Sequence, residues 1–493
     1  MITLSSSQQA ALDKIVAFMR KMNNAAKPGI FVLKGYAGTG KTTLITSIIE
    51  QFLSKGLSYR LMAPTGRAAK VLREKIDGCG ARTIHNSIYA GQLEPLDNGN
   101  EADMSDNDYR LAFPLIKDEK DIDCIIVDES SKVSDAIDHS DLLQFGSGQL
   151  LTDLLTYAKL SKVKTIIFVG DTAQLPPVTD SASHALDVQY FADRGYVVDS
   201  AELTDVFRQA RGGEILATAT QLRETLSMPK GERYALKFDM GNEIEGLKST
   251  EVADRYVAEF GNGKIGGGVV VCYSNRLCYD TNLQVRYKLY GQWDAELQKG
   301  DLMIVNNNCY GVFGKDIYNG DLMKVTAIGQ RIVRKNVPVT FDGIKSHINL
   351  NFREVEVLFH EEEAPVRCCI LENLLTSPNR EISEVERRAL YIDFCIRMRD
   401  IGIMPGSDLF REYIKEDRFF NALRVKYGYA ITCHKAQGGE WQKVIVDFSG
   451  MCRLDDMALR WCYTAITRAR EKLYVVNRPN ISQYSRMKFS EID

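Results

Sequence analysis

The sequence predicts an α/β fold of parallel sheets flanked by helices, in two main domains with smaller insertions. Three observations carry this. Short apolar runs, Ile30-Phe31-Val32-Leu33, Ile122 to Val127 and Thr165 to Val169, each lead into a glycine or acidic loop. Helical spacing follows the first of them, at Leu44, Ile45, Ile48, Ile49, Phe52 and Leu53. A second set of runs recurs far downstream, at Gly268 to Cys272, Val444 to Phe448 and Leu473 to Val476. Strands alternating with helices at such spacing form parallel sheets.

Bulk properties bound the function. The 493 residues have room for two to four domains. Composition is that of an ordinary globular chain, 45% hydrophobic and 26% charged. No apolar run approaches a membrane span, so no membrane partner is expected. The start, Met1-Ile2-Thr3-Leu4-Ser5, lacks a basic and then apolar signal pattern, so a cytoplasmic protein is expected. A net charge of −3 does not advertise nucleic-acid binding, but a basic channel can sit in an acidic protein. The 11 cysteines include no C-x-x-C pair, and reduced thiols are expected.

In chain order, Ser5 to Ser7 are N-cap candidates for a helix apolar at Ala11, Leu12, Ile15, Val16 and Met19. Gln8 reads alone as a surface glutamine. Its amide can also donate to and accept from an adenine edge. Gly35-Tyr36-Ala37-Gly38-Thr39-Gly40-Lys41-Thr42 then reads G-x-x-x-x-G-K-[ST] between a strand and a helix. Gly35, Gly38 and Gly40 let backbone N–H groups converge on phosphate oxygens, beside Thr39 and the helix N-terminus. Lys41 is placed to reach the β- and γ-phosphates, and Thr42 to ligate Mg²⁺.

Tyr59 to Met62 reads as a strand ending in Ala63-Pro64-Thr65-Gly66-Arg67, a strand–helix turn able to hold a polynucleotide phosphate. Thr83-Ile84-His85 follows. Residues 87–120 lose helical periodicity and form an excursion from the sheet, either a hairpin or a disordered loop. The strand before Asp128-Glu129-Ser130-Ser131 delivers two carboxylates. Asp128 suits Mg²⁺, and Glu129 suits proton acceptance from water. Gly170 to Val178 carries Gln174, a candidate phosphate sensor, and the stiff pair Pro176-Pro177.

Residues 201–209 open a new unit. Alternation and the Asn319-Gly320 turn predict a small barrel to about residue 372, with charged helices from Glu381 to Phe420. Tyr429 to Trp441, and a helix through Arg468 and Arg470, close the chain's motifs.

Taken together, LSSSQ, GYAGTGKT, APTGRAA, TIH, DESS, GDTAQLPPV, FRQ, YAITCHKAQGGEW and YTAITRAR resemble the superfamily 1 helicases, specifically the 1B branch that includes RecD-like and Dda-like enzymes. The motifs run in family order from residue 4 to 470. The resemblance implies two RecA-like domains with ATP between them, at residues 1–86 with 121–198, and 199–295 with 425–493. It implies a strand-splitting pin subdomain at 87–120, and an SH3-like barrel with a helical segment at 296–424. Gln8 and Phe207 then hold adenine, and Gly438 and Glu440 approach the nucleotide. Lys41, Asp128, Glu129, Gln174, Arg208 and Arg468 are catalytic, the two arginines as fingers on the γ-phosphate. Thr42 and Asp128 hold Mg²⁺. Pro64, Thr65, His85, Thr432, His434 and Lys435 touch single-stranded DNA.

The implied activity is ATP-driven movement along single-stranded DNA, 5′→3′, with unwinding at single/double-strand junctions by a monomer. Two alternatives stay open: a switch that changes grip without unwinding, and RNA as the track. A small-molecule P-loop kinase would not need the motifs of residues 429–470. The sequence departs from the pattern at Lys132, where methionine is common. It assigns no role to Phe145-Gly146-Ser147-Gly148, and it leaves Tyr89, Tyr109 and Phe113 as pin candidates, each of which reads as well as a plain core aromatic.

Overall fold

The computed structural model describes residues 4–23, 25, 27–76, 78–90, 92–95, 109–116, 121–137, 143–178, 180, 182–205, 213–229, 238, 240–261, 265–293, 296–341, 343–360, 362–405, 407–451 and 455–477. It divides into two units: Met1–Thr172, Pro176–Asp205 and Lys299–Lys426 in the first, and Ala173–Leu175, Val206–Gln298 and Tyr427–Asp493 in the second.

The first unit contains a six-stranded sheet. Its spatial order is Arg82–Thr83, Tyr59–Ala63, Cys124–Val127, Thr165–Gly170, Gly29–Gly35 and Val198–Leu203. Every pairing is parallel. A parallel sheet needs cover on both faces, and alternation along each strand supplies it. Phe31 and Leu33 face the helices Ser6–Met22, Lys41–Ser54 and Gly66–Lys75. Ile30, Val32 and Phe168 face the opposite way, against the helix Leu150–Leu160 and Phe191. Register pairs Ile30 with Val198, so Val198–Leu203 is the edge strand of this sheet. The first unit therefore runs past the boundary expected at residue 198.

Residues 87–120 contribute an antiparallel pair, Gln92–Pro95 with Tyr109–Phe113. A third strand, Leu143–Phe145, adds parallel to the second, so this small sheet reaches beyond the expected segment. That gives Phe145-Gly146-Ser147-Gly148 a place. Phe145 stacks on Phe113 at 4.4 Å between centroids, and the Gly146 N–H donates to the Phe113 carbonyl at 3.0 Å. The Tyr89 hydroxyl donates to buried Asp153 at 2.7 Å, and burial and this bond push its pKa up. Tyr89 and Phe113 are thus packed aromatics, while the side chain of Tyr109 lies outside what is described.

The insertion is a closed barrel of Leu302–Val305, Leu322–Phe341, Ile344–Phe359, Val366–Leu371 and Leu423–Tyr427. The helices Glu384–Asp400 and Asp408–Glu416 stand before the closing strand. Closure therefore uses residues past both the expected limit of 372 and the 424/425 boundary.

The second unit holds a five-stranded sheet, in the order Ile244–Leu247, Ala469–Val476, Trp441–Asp447, Gly268–Cys272 and Ala430–Thr432. All its pairings are parallel. Among the described residues, ten cysteines are free and buried, and no helix is long and apolar enough to cross a membrane.

Phe168 is fully buried and stacks on Phe191 at 5.3 Å. Phe168→Ala should cost about 3–5 kcal/mol in denaturant unfolding of the first unit. Leu160→Ala, at a site 44% exposed, should stay within about 0.5 kcal/mol. Equal losses would contradict this placement of the core.

Candidate functional site

Parallel pairing sends the C-terminal ends of neighbouring strands to one edge of the first sheet, where ligands of open α/β sheets bind. The loop after Gly29–Gly35 sits there. Gly38 and Gly40 adopt φ of 81° and 75°, a region that side chains rarely enter. Gly40 is also the N-cap of the helix Lys41–Ser54. A Cβ on Gly40 would lie 2.3 Å from Gln8 Nε2, so that position is closed to larger residues twice over. The Lys41 ammonium donates to the carbonyls of Gly35 at 2.7 Å and Tyr36 at 2.9 Å. The Thr39 hydroxyl donates to Tyr36 O at 2.9 Å. Thr42 follows, half-buried, in the first helical turn.

Gln8 is 4% exposed and belongs to a capping box. Its Oε1 accepts from the Ser5 N–H at 2.9 Å, and its Nε2 donates to Thr39 O at 3.2 Å. Nε2 also reaches Gly40 O at 3.5 Å, so the amide is tied to the phosphate loop by its nitrogen and keeps one further lone pair on Oε1. Sequence reading missed what lies behind it. Ser7 Oγ donates to Asp205 at 2.6 Å, and Ser5 Oγ to the same oxygen at 3.3 Å. The serine run was the only local signal. Phe207 and Arg208, just beyond Asp205, lie outside the described residues.

Asp128 and Glu129 leave the strand Cys124–Val127 at the same edge. The Asp128 N–H donates to Met62 O at 3.0 Å, which extends the ladder to the acidic pair. Glu129 has φ 52° and ψ 35°. A left-handed non-glycine residue costs about 1–3 kcal/mol and is held only by its surroundings. Here the Ser130 hydroxyl donates to Val127 O at 2.7 Å, and the Lys132 N–H to Glu129 O at 3.0 Å. Burial, and then the charge of Glu129, push Asp128 up to about 6, while Lys41 pulls it back.

A buried carboxylate raised by burial and a like charge gains from a cation placed beside it. Among the described residues, no cluster of three His, Cys, Asp or Glu could hold a metal alone. Mg²⁺ is bound through one or two carboxylates together with substrate phosphates, so Asp128 is the carboxylate that would hold it here.

Pro64-Thr65 and Ile84-His85 leave adjacent strands, with Ala63 paired to Thr83, so these candidate strand contacts are neighbours. Thr65 Oγ1 caps the helix Gly66–Lys75 by accepting from the Ala68 N–H at 3.3 Å. His85 packs edge-on against Phe145 at 5.1 Å.

The second unit carries the rest. Thr432, His434 and Lys435 are half-buried at the end of Ala430–Thr432 and in the turn after it. Gly438 has φ 80°. Glu440 accepts two N–H groups of Arg470, at 3.1 and 2.9 Å. Arg468 is 3% exposed. It donates to Thr464 O at 2.8 Å, Gly439 O at 3.0 Å and Thr467 Oγ1 at 3.1 Å. Ala173–Leu175 belongs to this unit. The Leu175 N–H donates to Thr464 Oγ1 and Leu175 O accepts from Gln437 Nε2, both at 3.0 Å. Gln174 is buried, and its Oε1 meets no hydrogen-bond donor.

A glycine loop opening a helix, beside an acidic pair at the same sheet edge, defines a phosphate-loop nucleotide-binding protein. A family profile described as an AAA domain matches residues 3–235, and one described as a UvrD-like helicase C-terminal domain matches residues 427–476. The ATP-dependent RecD2 DNA helicase of Deinococcus radiodurans is 24% identical over 96% of this chain and 48% of its own length. The RecBCD enzyme subunit RecD of Buchnera aphidicola is 23% identical over 97% of this chain and 74% of its own length. A solved Pif1 helicase from Bacteroides, in complex with ADP-AlF3 and ssDNA, aligns over 98% of this chain and 94% of that one, at 17% identity and a TM-score of 0.44. These matches support the resemblance to the superfamily 1B helicases. The chain spans less than half the length of the first curated relatives it matches.

The raised Asp128 gives a pH test. The unfolded group titrates near the ordinary value of about 3.9. Between that pH and about 6 the folded protein binds the extra proton, so stability falls as pH rises through this window and the deficit persists above it. Asp128→Asn should therefore raise Tm at pH 8 without added nucleotide or metal, with the gain shrinking as pH falls through this window. A lower Tm at pH 8 would contradict it.

Proposed function

We propose that this protein is an ATP-dependent motor that translocates on single-stranded DNA, 5′→3′, and unwinds duplex at single/double-strand junctions. The observation that carries it is the pairing of the Lys41 loop with the Asp128–Glu129 turn at one sheet edge, next to the Pro64-Thr65 and His85 loops. Nucleotide chemistry and a surface for a strand thus share one rigid framework.

The loop N–H groups and Lys41 bind the phosphates, and Gln8 orients adenine, with Phe207 stacked on it. Thr42 and Asp128 hold Mg²⁺, which when bound neutralises phosphate charge. Glu129 takes the proton of the attacking water. Gln174 senses the γ-phosphate, with Gly438 and Glu440 near the nucleotide. Arg208 and Arg468 stabilise transition-state charge. Arg468 does so after exchanging its carbonyl partners for phosphate oxygens, which accept stronger, charge-assisted hydrogen bonds. Pro64, Thr65, His85, Thr432, His434 and Lys435 grip the strand, mostly through phosphates. The closed barrel is an SH3-like accessory domain, and the sheet containing Tyr109–Phe113 serves as the pin.

ATPase of the purified protein should rise strongly with single-stranded DNA. Lys41→Ala should abolish it. Arg468→Ala should spare nucleotide binding and slow hydrolysis by about 10³–10⁵-fold. A rate no higher with DNA than without it would sink the motor reading. Parallel loss of binding and hydrolysis in Arg468→Ala would remove that arginine from catalysis.

A further inference from the structure

The barrel touches the strand-binding edge of the first sheet at one place that the proposed roles leave unused. Tyr318, in the connection between Leu302–Val305 and Leu322–Phe341, sits on the first turn of the helix Gly66–Lys75. A Cβ built on Gly66 would lie 2.1 Å from Tyr318 Cδ1 and 2.4 Å from Cγ. The ring therefore covers bare backbone, and only glycine admits it. Tyr318 is 7% exposed.

The contact is fixed from both sides. On the helix, Arg73 Nη2 donates to Tyr318 Oη at 3.1 Å and Nη1 to Ala81 O at 2.6 Å. Arg67 Nη1 donates to Gly320 O at 3.4 Å. On the barrel, buried Asp321 accepts from the Tyr318 N–H at 2.8 Å. Gly320 has φ 96°, which lets the chain turn beneath Arg67. Lys70 pairs with Glu362 at 3.7 Å, beside the same contact.

Gly66 directly follows Pro64-Thr65, and Thr65 caps the helix whose first turn the ring covers. The tilt of that turn sets where the Thr65 hydroxyl and the helix N–H groups point. We propose that Tyr318 is a positioning residue. Seated on Gly66, it holds the Pro64-Thr65 turn in the orientation that receives a nucleic-acid phosphate, so the barrel controls the grip on the strand without touching the reacting atoms. This rests on the proposed function, and it gives the barrel a route of action through the helix Gly66–Lys75.

The test uses the full chain and an oligothymidine probe, reading ATPase against oligonucleotide concentration, with fluorescence anisotropy for binding. In Tyr318→Ala the half-stimulating concentration should rise about 10- to 100-fold, the range expected when a contact group is misplaced by about 1 Å. The rate without DNA and the KM for ATP should stay at wild-type values. Tyr318→Phe keeps the ring on Gly66 and loses only the hydroxyl's bonds, from Arg73 and to Asp316 at 3.3 Å, so it should remain near wild type. Gly66→Ala, which displaces the ring from the other side, should reproduce Tyr318→Ala. An unchanged half-stimulating concentration in both Tyr318→Ala and Gly66→Ala would overturn the proposal. So would a proportional fall in the rate without DNA, which marks a merely structural contact. If wild type shows no stimulation by oligothymidine, the motor reading itself fails, which is a different result from stimulated wild type with indifferent variants.

Discussion

The first unit's site depends on one constraint: the parallel pairing of Gly29–Gly35 between Thr165–Gly170 and Val198–Leu203. A parallel ladder sends the strands' C-terminal ends to one edge. The phosphate loop, the acidic pair and the Pro64-Thr65 turn are consequences of that shared edge. Backbone hydrogen bonds carry it through, because the Asp128 N–H continues the ladder onto Met62. The apolar cost of such a sheet is full cover on both faces, and the helices and the alternation of Ile30 and Val32 with Phe31 and Leu33 meet it.

On this framework the site holds unfavourable features in place. Glu129 sits in a left-handed conformation, and Asp128 is buried beside a like charge. Neither helps the fold, and both suit a site that receives a cation and polyphosphate. The surrounding bonds are local and short. Ser130 ties the acidic turn to Val127, and the capping box of Ser5 and Gln8 ties the first helix to the carbonyls of the phosphate loop. In the second unit, Arg468 is held by its own helix and by Gly439, while the backbone of Leu175 is matched to Thr464 and Gln437.

Much of this was legible in the sequence because it is local. The strand before Gly35, the strand before Asp128, and Gly268–Cys272 are short apolar runs with turn residues at their ends. What escaped was non-local or half-exposed. Val198–Leu203 mixes aspartate, serine and glutamate with apolar residues, as an edge strand can, and so reads as the start of the next unit and not as the last strand of the first sheet. Ile244–Leu247 carries Glu245 and Gly246 between its apolar ends, so it forms no apolar run to read. The barrel closes on Leu423–Tyr427 only after two helices, and no local pattern signals such closure. Phe145 acquires its place by stacking on Phe113 across the segment between them. Gly66 reads as a turn residue, and its actual demand comes from a tyrosine in the barrel.

The central claim is that this site drives directional unwinding of DNA. Strand displacement on duplexes carrying a 5′ or a 3′ single-stranded tail, with ATP and Mg²⁺ and with a matched RNA-tailed control, tests activity, polarity and track together. The account predicts displacement of the 5′-tailed DNA substrate, loss of that displacement in Lys41→Ala, and little on the 3′-tailed one. ATP hydrolysis stimulated by DNA with no displacement of either substrate would contradict it and leave a switch that changes grip.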